Sequence, residues 1–95
     1  MKQFIDVHDR AHKTFPEKVS KEEFAKVLAK YDSASREEGV VVLRTYVNLE
    51  EGRAWCLNVA ADAEAVRRAH QRIGLPFDAI TEVAGAAPTD LLLAK

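Results

Sequence analysis

The apolar residues of this chain change their period along its length, and the order of those changes admits few folds. Gln3 to His8 alternates, with Ile5 and Val7 on one side and Phe4, Asp6 and His8 on the other, which is the two-residue repeat of a strand. From Ser20 the repeat becomes helical: Phe24, Val27, Leu28 and Tyr31 fall at i, i+3, i+4 and i+7, with Lys21, Glu22, Lys26 and Lys30 around the remainder. Ser20 and Glu23 have the spacing of a capping box, and Gly39 stands where that helix should close. Val40 to Val47 and Arg53 to Val59 are β-rich runs separated by a turn at Asn48 to Gly52, which predicts a hairpin. Asp62 then caps a second helix with the inward stripe Val66, Ala69, His70 and Ile73, stopped by Gly74 and Pro76. Asp78 to Val83 is the last strand.

Strand, helix, strand, strand, helix, strand, joined by right-handed crossovers, gives a four-stranded antiparallel sheet with both helices on one face, the ferredoxin-like α+β plan. At 95 residues the chain holds one such domain, taken as 1–83, followed by a tail, 84–95. In the tail, Gly85 and Pro88 precede Leu91, Leu92 and Leu93, which need cover either on their own chain or as an arm across a second subunit. A domain this small withdraws only about 60–65% of its unfolded surface from water, and the plan leaves one sheet face uncovered. A homodimer is therefore expected, through the open faces or the tails. Fourteen basic against fifteen acidic residues leave a net charge of −1, without the basic field that binding a nucleic acid requires. The longest apolar runs, Val40 to Leu43 and Leu91 to Ala94, are far short of the ~20 residues that cross a bilayer. One cysteine and no signal-peptide pattern make the cytoplasm the expected compartment.

Strand alternation sorts the candidate functional residues. Hydropathy assigns Ile5, Val7, Val41, Leu43, Val47, Trp55, Leu57 and Val59 to the helix side, which leaves Phe4, Asp6, His8, Arg44, Tyr46, Cys56 and Asn58 on the open face. Asp6, His8 and Cys56, with Glu82 if its register agrees, would there bring carboxylate, imidazole and thiol together, the ligand types of divalent transition metals. No local CxxC, HxH or HExxH spacing adds to this, and the competing reading is a hydrogen-bonded Asp6–His8 pair beside a buried cysteine. Phe4, Arg44, Tyr46 and Asn58 would line a ligand pocket on the same face, with Arg44 and Tyr46 placed to hold an anionic aromatic group or to make a dimer contact. His70, on the inward stripe, should pack beneath the sheet with one nitrogen bonded to the backbone, while His12, in the long Asp9–Val19 loop, should be solvated. No glycine-rich phosphate loop and no GxSxG motif occurs.

The run Trp55-Cys56-Leu57, the helix opening Ala63-Glu64-Ala65-Val66-Arg67-Arg68, the exit Gly74-Leu75-Pro76-Phe77-Asp78 and the strand Ile80 to Val83 resemble a family of small bacterial domains of unassigned function, one member of which is a nickel-binding protein. The likeness runs from Phe4 to Val83 and implies the same ferredoxin-like fold, dimerisation and a divalent metal, with His8 and His70 at positions where histidine stands in nickel-binding relatives. Relatives follow the first strand with a short, glycine-bearing loop, whereas this chain carries extra length around Lys13 to Val19. The leading reading is a non-catalytic metal-binding domain with His8, Asp6, Cys56, His70 and Glu82 as candidate ligands. The alternative is a small enzyme resembling dimeric α/β-barrel monooxygenases and isomerases, with Tyr46, His8 or Asp6 as acid or base in an open-face cavity.

Overall fold

A computed structural model describes residues 1–85. It contains strand β1 (Lys2–Asp9), helix α1 (Lys21–Glu37), strands β2 (Val41–Asn48) and β3 (Arg53–Ala60), helix α2 (Ala63–Arg72) and strand β4 (Ala79–Val83). The sheet order is β2-β3-β1-β4 with every pairing antiparallel, the ferredoxin-like arrangement expected from the sequence. All but Ala84 and Gly85 of the expected tail and its arm lie outside the described residues. Among the described residues no helix is long and apolar enough to cross a membrane.

The helix ends follow their caps. Ser20 Oγ accepts from the Glu23 amide at 3.1 Å while Glu23 Oε1 accepts from the Ser20 amide at 2.9 Å, so both arms of the capping box are made. Asp62 Oδ1 accepts from the Ala65 amide at 2.9 Å and opens α2. Arg68 and Arg72 donate to Glu38 at the end of α1 and tie the helices together. The loop after β1 begins with a single 3-10 turn, Arg10–His12, capped by Asp9. Its Arg10 side chain donates to the carbonyls of Leu49 and Glu50, both at 3.1 Å, and of Pro16 at 3.0 Å. Gly52 makes this possible: its φ is +72° and a Cβ there would meet Arg10 Cζ at 2.6 Å.

The faces of β1 and β3 are the reverse of the hydropathy assignment. Phe4, Asp6, His8, Ala54, Cys56 and Asn58 lie buried beneath the helices, while Ile5, Val7, Trp55, Leu57 and Val59 are half-buried on the open face. Two apolar clusters fill the helix side, one of Phe4, Val40, Ala60, Ala65 and Val66, the other of Tyr31, Cys56 and Ala69. On β2 the register slips between Val42 and Arg44. This bulge inverts the alternation. Val41, opposite Val59, faces outward and Leu43 is 54% exposed, against expectation, whereas Val47, opposite buried Ala54, keeps its predicted side. Arg44 and Tyr46 stand on the open face as expected, their cation and ring 5.8 Å apart.

Candidate metal centre

β1 sets Asp6 and His8 two residues apart on the helix-covered side, so their side chains project together. The Nε2 atom of His8 lies 2.7 Å from Asp6 Oδ1. The inward stripe of α2 brings His70 down onto the same atom, its Nε2 at 3.2 Å. Asp6 and His70 are wholly buried and His8 is 5% exposed.

The other nitrogen of each ring determines what the pair can do. His8 Nδ1 lies 2.7 Å from the carbonyl of Pro76 and 3.2 Å from that of Thr14, and His70 Nδ1 lies 2.8 Å from the carbonyl of Val66. A carbonyl oxygen only accepts, so both Nδ1 atoms carry hydrogen and donate. In neutral rings both Nε2 lone pairs would then point at a carboxylate oxygen, which also only accepts. A proton or a cation must sit between each ring and Asp6.

The far side of the carboxylate is held as firmly. Asn58 Nδ2 donates to Asp6 Oδ2 at 2.7 Å, and the Tyr31 hydroxyl lies 2.8 Å from Asn58 Oδ1 and 3.2 Å from Asp6 Oδ2. Burial works against the charge of Asp6, but the bonds from His70 and His8 outweigh it and hold the carboxyl well below the ordinary range. Burial likewise works against a charged His8; the hydrogen bond and charge of Asp6 prevail and raise it above the ordinary value. Burial, reinforced by the charge of Asp6, pushes the Tyr31 hydroxyl far up, so it serves only as a neutral donor. Rings at 4.6 Å (Tyr31) and 4.8 Å (Phe77) from His70 fix the plane of its imidazole.

The donor set fits a divalent transition metal. Imidazole nitrogens and a carboxylate suit nickel, copper and zinc, and two ligands each about 2.1 Å from one ion at right angles are ~3 Å apart, close to the two N···O separations found. Ring N–H groups fixed by carbonyls and a carboxylate fixed by an amide and a phenol are the outer partners that metal ligands normally have.

Several sequence candidates fall elsewhere. Cys56 is directly opposite Asp6 on β3, but its sulfur accepts from Thr45 Oγ1 at 3.4 Å, and burial, then the charge of Asp6, pushes its thiol up to about 12. It borders the cluster as a neutral thiol. Glu82 lies opposite Phe4 at the sheet margin, its side chain 59% exposed and 3.9 Å from Lys2, and is no part of the group. The open-face pocket of Phe4, Arg44, Tyr46 and Asn58 does not exist as one site, because Phe4 and Asn58 are buried beneath the helices. His70 does bond its backbone as expected, but it shares a face with His8, because the strand faces are reversed. Tyr31 carries a sequence signal that hydropathy misses: a tyrosine on an inward stripe must find a partner for its hydroxyl.

A second histidine–carboxylate group lies at the surface. His12 Nδ1 is 2.7 Å from Asp78 Oδ2, Asp78 Oδ1 accepts from Thr14 Oγ1 at 2.7 Å, and Asp9 stands beside them. His12 is thus exposed but paired. Its hydrogen bond to Asp78 raises its ring above the ordinary value.

Fold and cluster together define the class: a small ferredoxin-like α+β domain with a buried histidine–carboxylate–histidine centre under its helices. Residues 4–83 match the family described as "Nickel responsive protein SCO4226-like", and the chain belongs to that family. Among solved structures it is similar to the crystal structure of SCO4226 from Streptomyces coelicolor A3(2), with a TM-score of 0.75 and 26% identity, covering 90% of this chain and 99% of that one. No curated protein matches the chain.

Proposed function

We propose that this protein holds a divalent transition metal, nickel in the first instance, between Asp6, His8 and His70, as a binding protein and not as a catalyst. The observation that carries the reading is the pair of Nε2 atoms that converge on one carboxylate oxygen with both Nδ1 positions already committed to carbonyls. Membership of a nickel-responsive family supports nickel as the first ion to try. The depth of the cluster favours retention over turnover, since the carboxylate and one imidazole have no exposed surface. A single buried thiol suits the reducing cytoplasm, and the half-covered apolar residues of the open face suit pairing with a second copy.

Equilibrium dialysis against nickel, cobalt, copper and zinc tests the reading. Stoichiometric uptake by the wild type is expected, lost in Asp6→Asn, His8→Ala and His70→Ala and kept in Cys56→Ser. No stoichiometric uptake, or uptake unchanged in His8→Ala, ends the proposal. Loss in His12→Ala with retention in His70→Ala would move the ion to the surface group.

A further inference from the structure

The loop after β1, the first turns of α1 and the start of β3 line a partly open cavity of about 110 Å³. Its walls are Phe15, Val19, Phe24, Val27, Leu28 and Leu75, and His8, Tyr31 and Cys56 reach it from the cluster side. Apolar side chains in this quantity normally close upon one another at interior packing density, so a void of this size among them is a departure that a bound molecule would repair.

The chemistry of the walls narrows what can enter. The polar groups that reach the cavity have partners elsewhere: His8 on Asp6 and two carbonyls, Tyr31 on Asn58 and Asp6, and Cys56 on Thr45. The Cys56 thiol is protonated and offers no charge. An ionic or strongly hydrated guest would lose its water without recovering hydrogen bonds there. An apolar cavity of about 150 Å³ in another protein stays dry and takes benzene or xenon, so the volume here suits a guest of one small ring. Phe15 and Phe24, with centroids 6.1 Å apart, and Tyr31 supply ring faces and edges for an aromatic guest.

We infer that this cavity is a binding site for a small, uncharged aromatic molecule about the size of benzene or toluene, separate from the metal centre but sharing His8 and Tyr31 with it. The β1–α1 loop forms its cover. Phe15 is held there beneath the Arg10 guanidinium at 5.7 Å, and Arg10 is itself bonded to the β2–β3 turn. The extra length between β1 and α1 thus supplies a wall that a short connection would not.

The test uses the full chain freed of metal by chelation, with toluene as the probe, so that its outcome is independent of whether nickel binds. Saturable shifts of the methyl resonances of Val19, Val27, Leu28 and Leu75 are expected, with no comparable movement of Ile5, Leu57 or Val59 on the open face. Val27→Phe and Val19→Phe, wall positions that make no bond in the Asp6 network, should each weaken toluene binding at least tenfold. Absence of saturable shifts, shifts centred on the open face, or unchanged affinity in both folded variants overturns the inference. If neither variant folds, the wild-type shift map alone decides it. Benzoate, equal in ring size but charged, should shift none of these methyls; equal binding of benzoate would refute the uncharged class.

Discussion

The two faces of the sheet reverse the usual relation between polarity and burial. Beneath the helices, Asp6 and Asn58 are completely buried and His8 is 5% exposed, whereas Val41 and Tyr46 on the other face are 53% and 55% exposed. The difference follows from partners. Asp6, His8, His70, Asn58 and Tyr31 satisfy one another, so the desolvation cost of each is offset inside the group, and no such network exists for Asp6 on a bare sheet face. Burial is decided here by where hydrogen bonds can close, with hydropathy second.

Adjacent residues on β1 give the sharpest way to break that comparison. Asp6→Ala strands two imidazole nitrogens in the core and takes from the Asn58 amide its shortest bond, and removing one partner of a buried ionic group costs about 3–5 kcal/mol. That is most of the margin of a small domain. Ile5→Ala, half-buried on the other face, should cost only about 1–2 kcal/mol. Urea unfolding of both metal-free variants measures the gap. An Ile5→Ala loss equal to or greater than that of Asp6→Ala would mean that the network contributes less than ordinary packing.

Nickel should act on one face alone. At a free concentration about 100-fold above Kd, a ligand bound only to the folded state adds ~2.7 kcal/mol. That increment is expected for the wild type and for Ile5→Ala and absent from His70→Ala, which is itself expected to lose ~2–4 kcal/mol without metal. A nickel increment surviving intact in His70→Ala would place the ion elsewhere.

Acidity offers a third, smaller contrast in the metal-free protein. Asp6 is depressed in the folded state, so its contribution is present above the unfolded value of about 3.9 and disappears as pH falls through the folded one. His8 is raised, so its contribution is present below about 6.5 and disappears as pH climbs through its higher folded value. Stability should therefore peak between those limits, and His8→Gln should flatten the alkaline limb and, by removing one of the two imidazoles that depress Asp6, shrink the acid limb as well. Metal affinity runs the other way across the upper limit, strengthening as the proton leaves His8. An alkaline limb unchanged in His8→Gln would assign the pH dependence to another group.

The element boundaries were legible because they depend on local chemistry. Ser20 with Glu23, Asp62 and the positive-φ Gly39 and Gly74 mark helix ends whatever the rest of the chain does. Strand faces were not, because polarity was read as exposure, and a polar side chain can be exposed or partnered with equal consistency. Arg44 and Tyr46 came out on their expected side only because the β2 bulge reversed an alternation already assigned backwards. His70 shows the same limit from the helix: its inward position and backbone bond followed from the stripe, but its meeting with Asp6 spans a sequence separation of 64 and depends on the fold between. Glu82 matched the chemistry of a ligand and missed it by register, since Ile80 takes the place opposite Asp6.

The smallest effect belongs to the outward face and tests what covers it. Val41 is 53% exposed opposite Val59, so in an isolated chain Val41→Thr should change stability by no more than about 0.5 kcal/mol, leaving the unfolding midpoint independent of protein concentration. If two copies meet through this face, the same substitution places an unpaired hydroxyl in an apolar contact and should cost at least ~1 kcal/mol, with a midpoint that falls on dilution. Tyr46→Ala, 55% exposed on the same surface, should then follow Val41→Thr in both size and concentration dependence, because a shared interface couples the two positions and a bare surface does not.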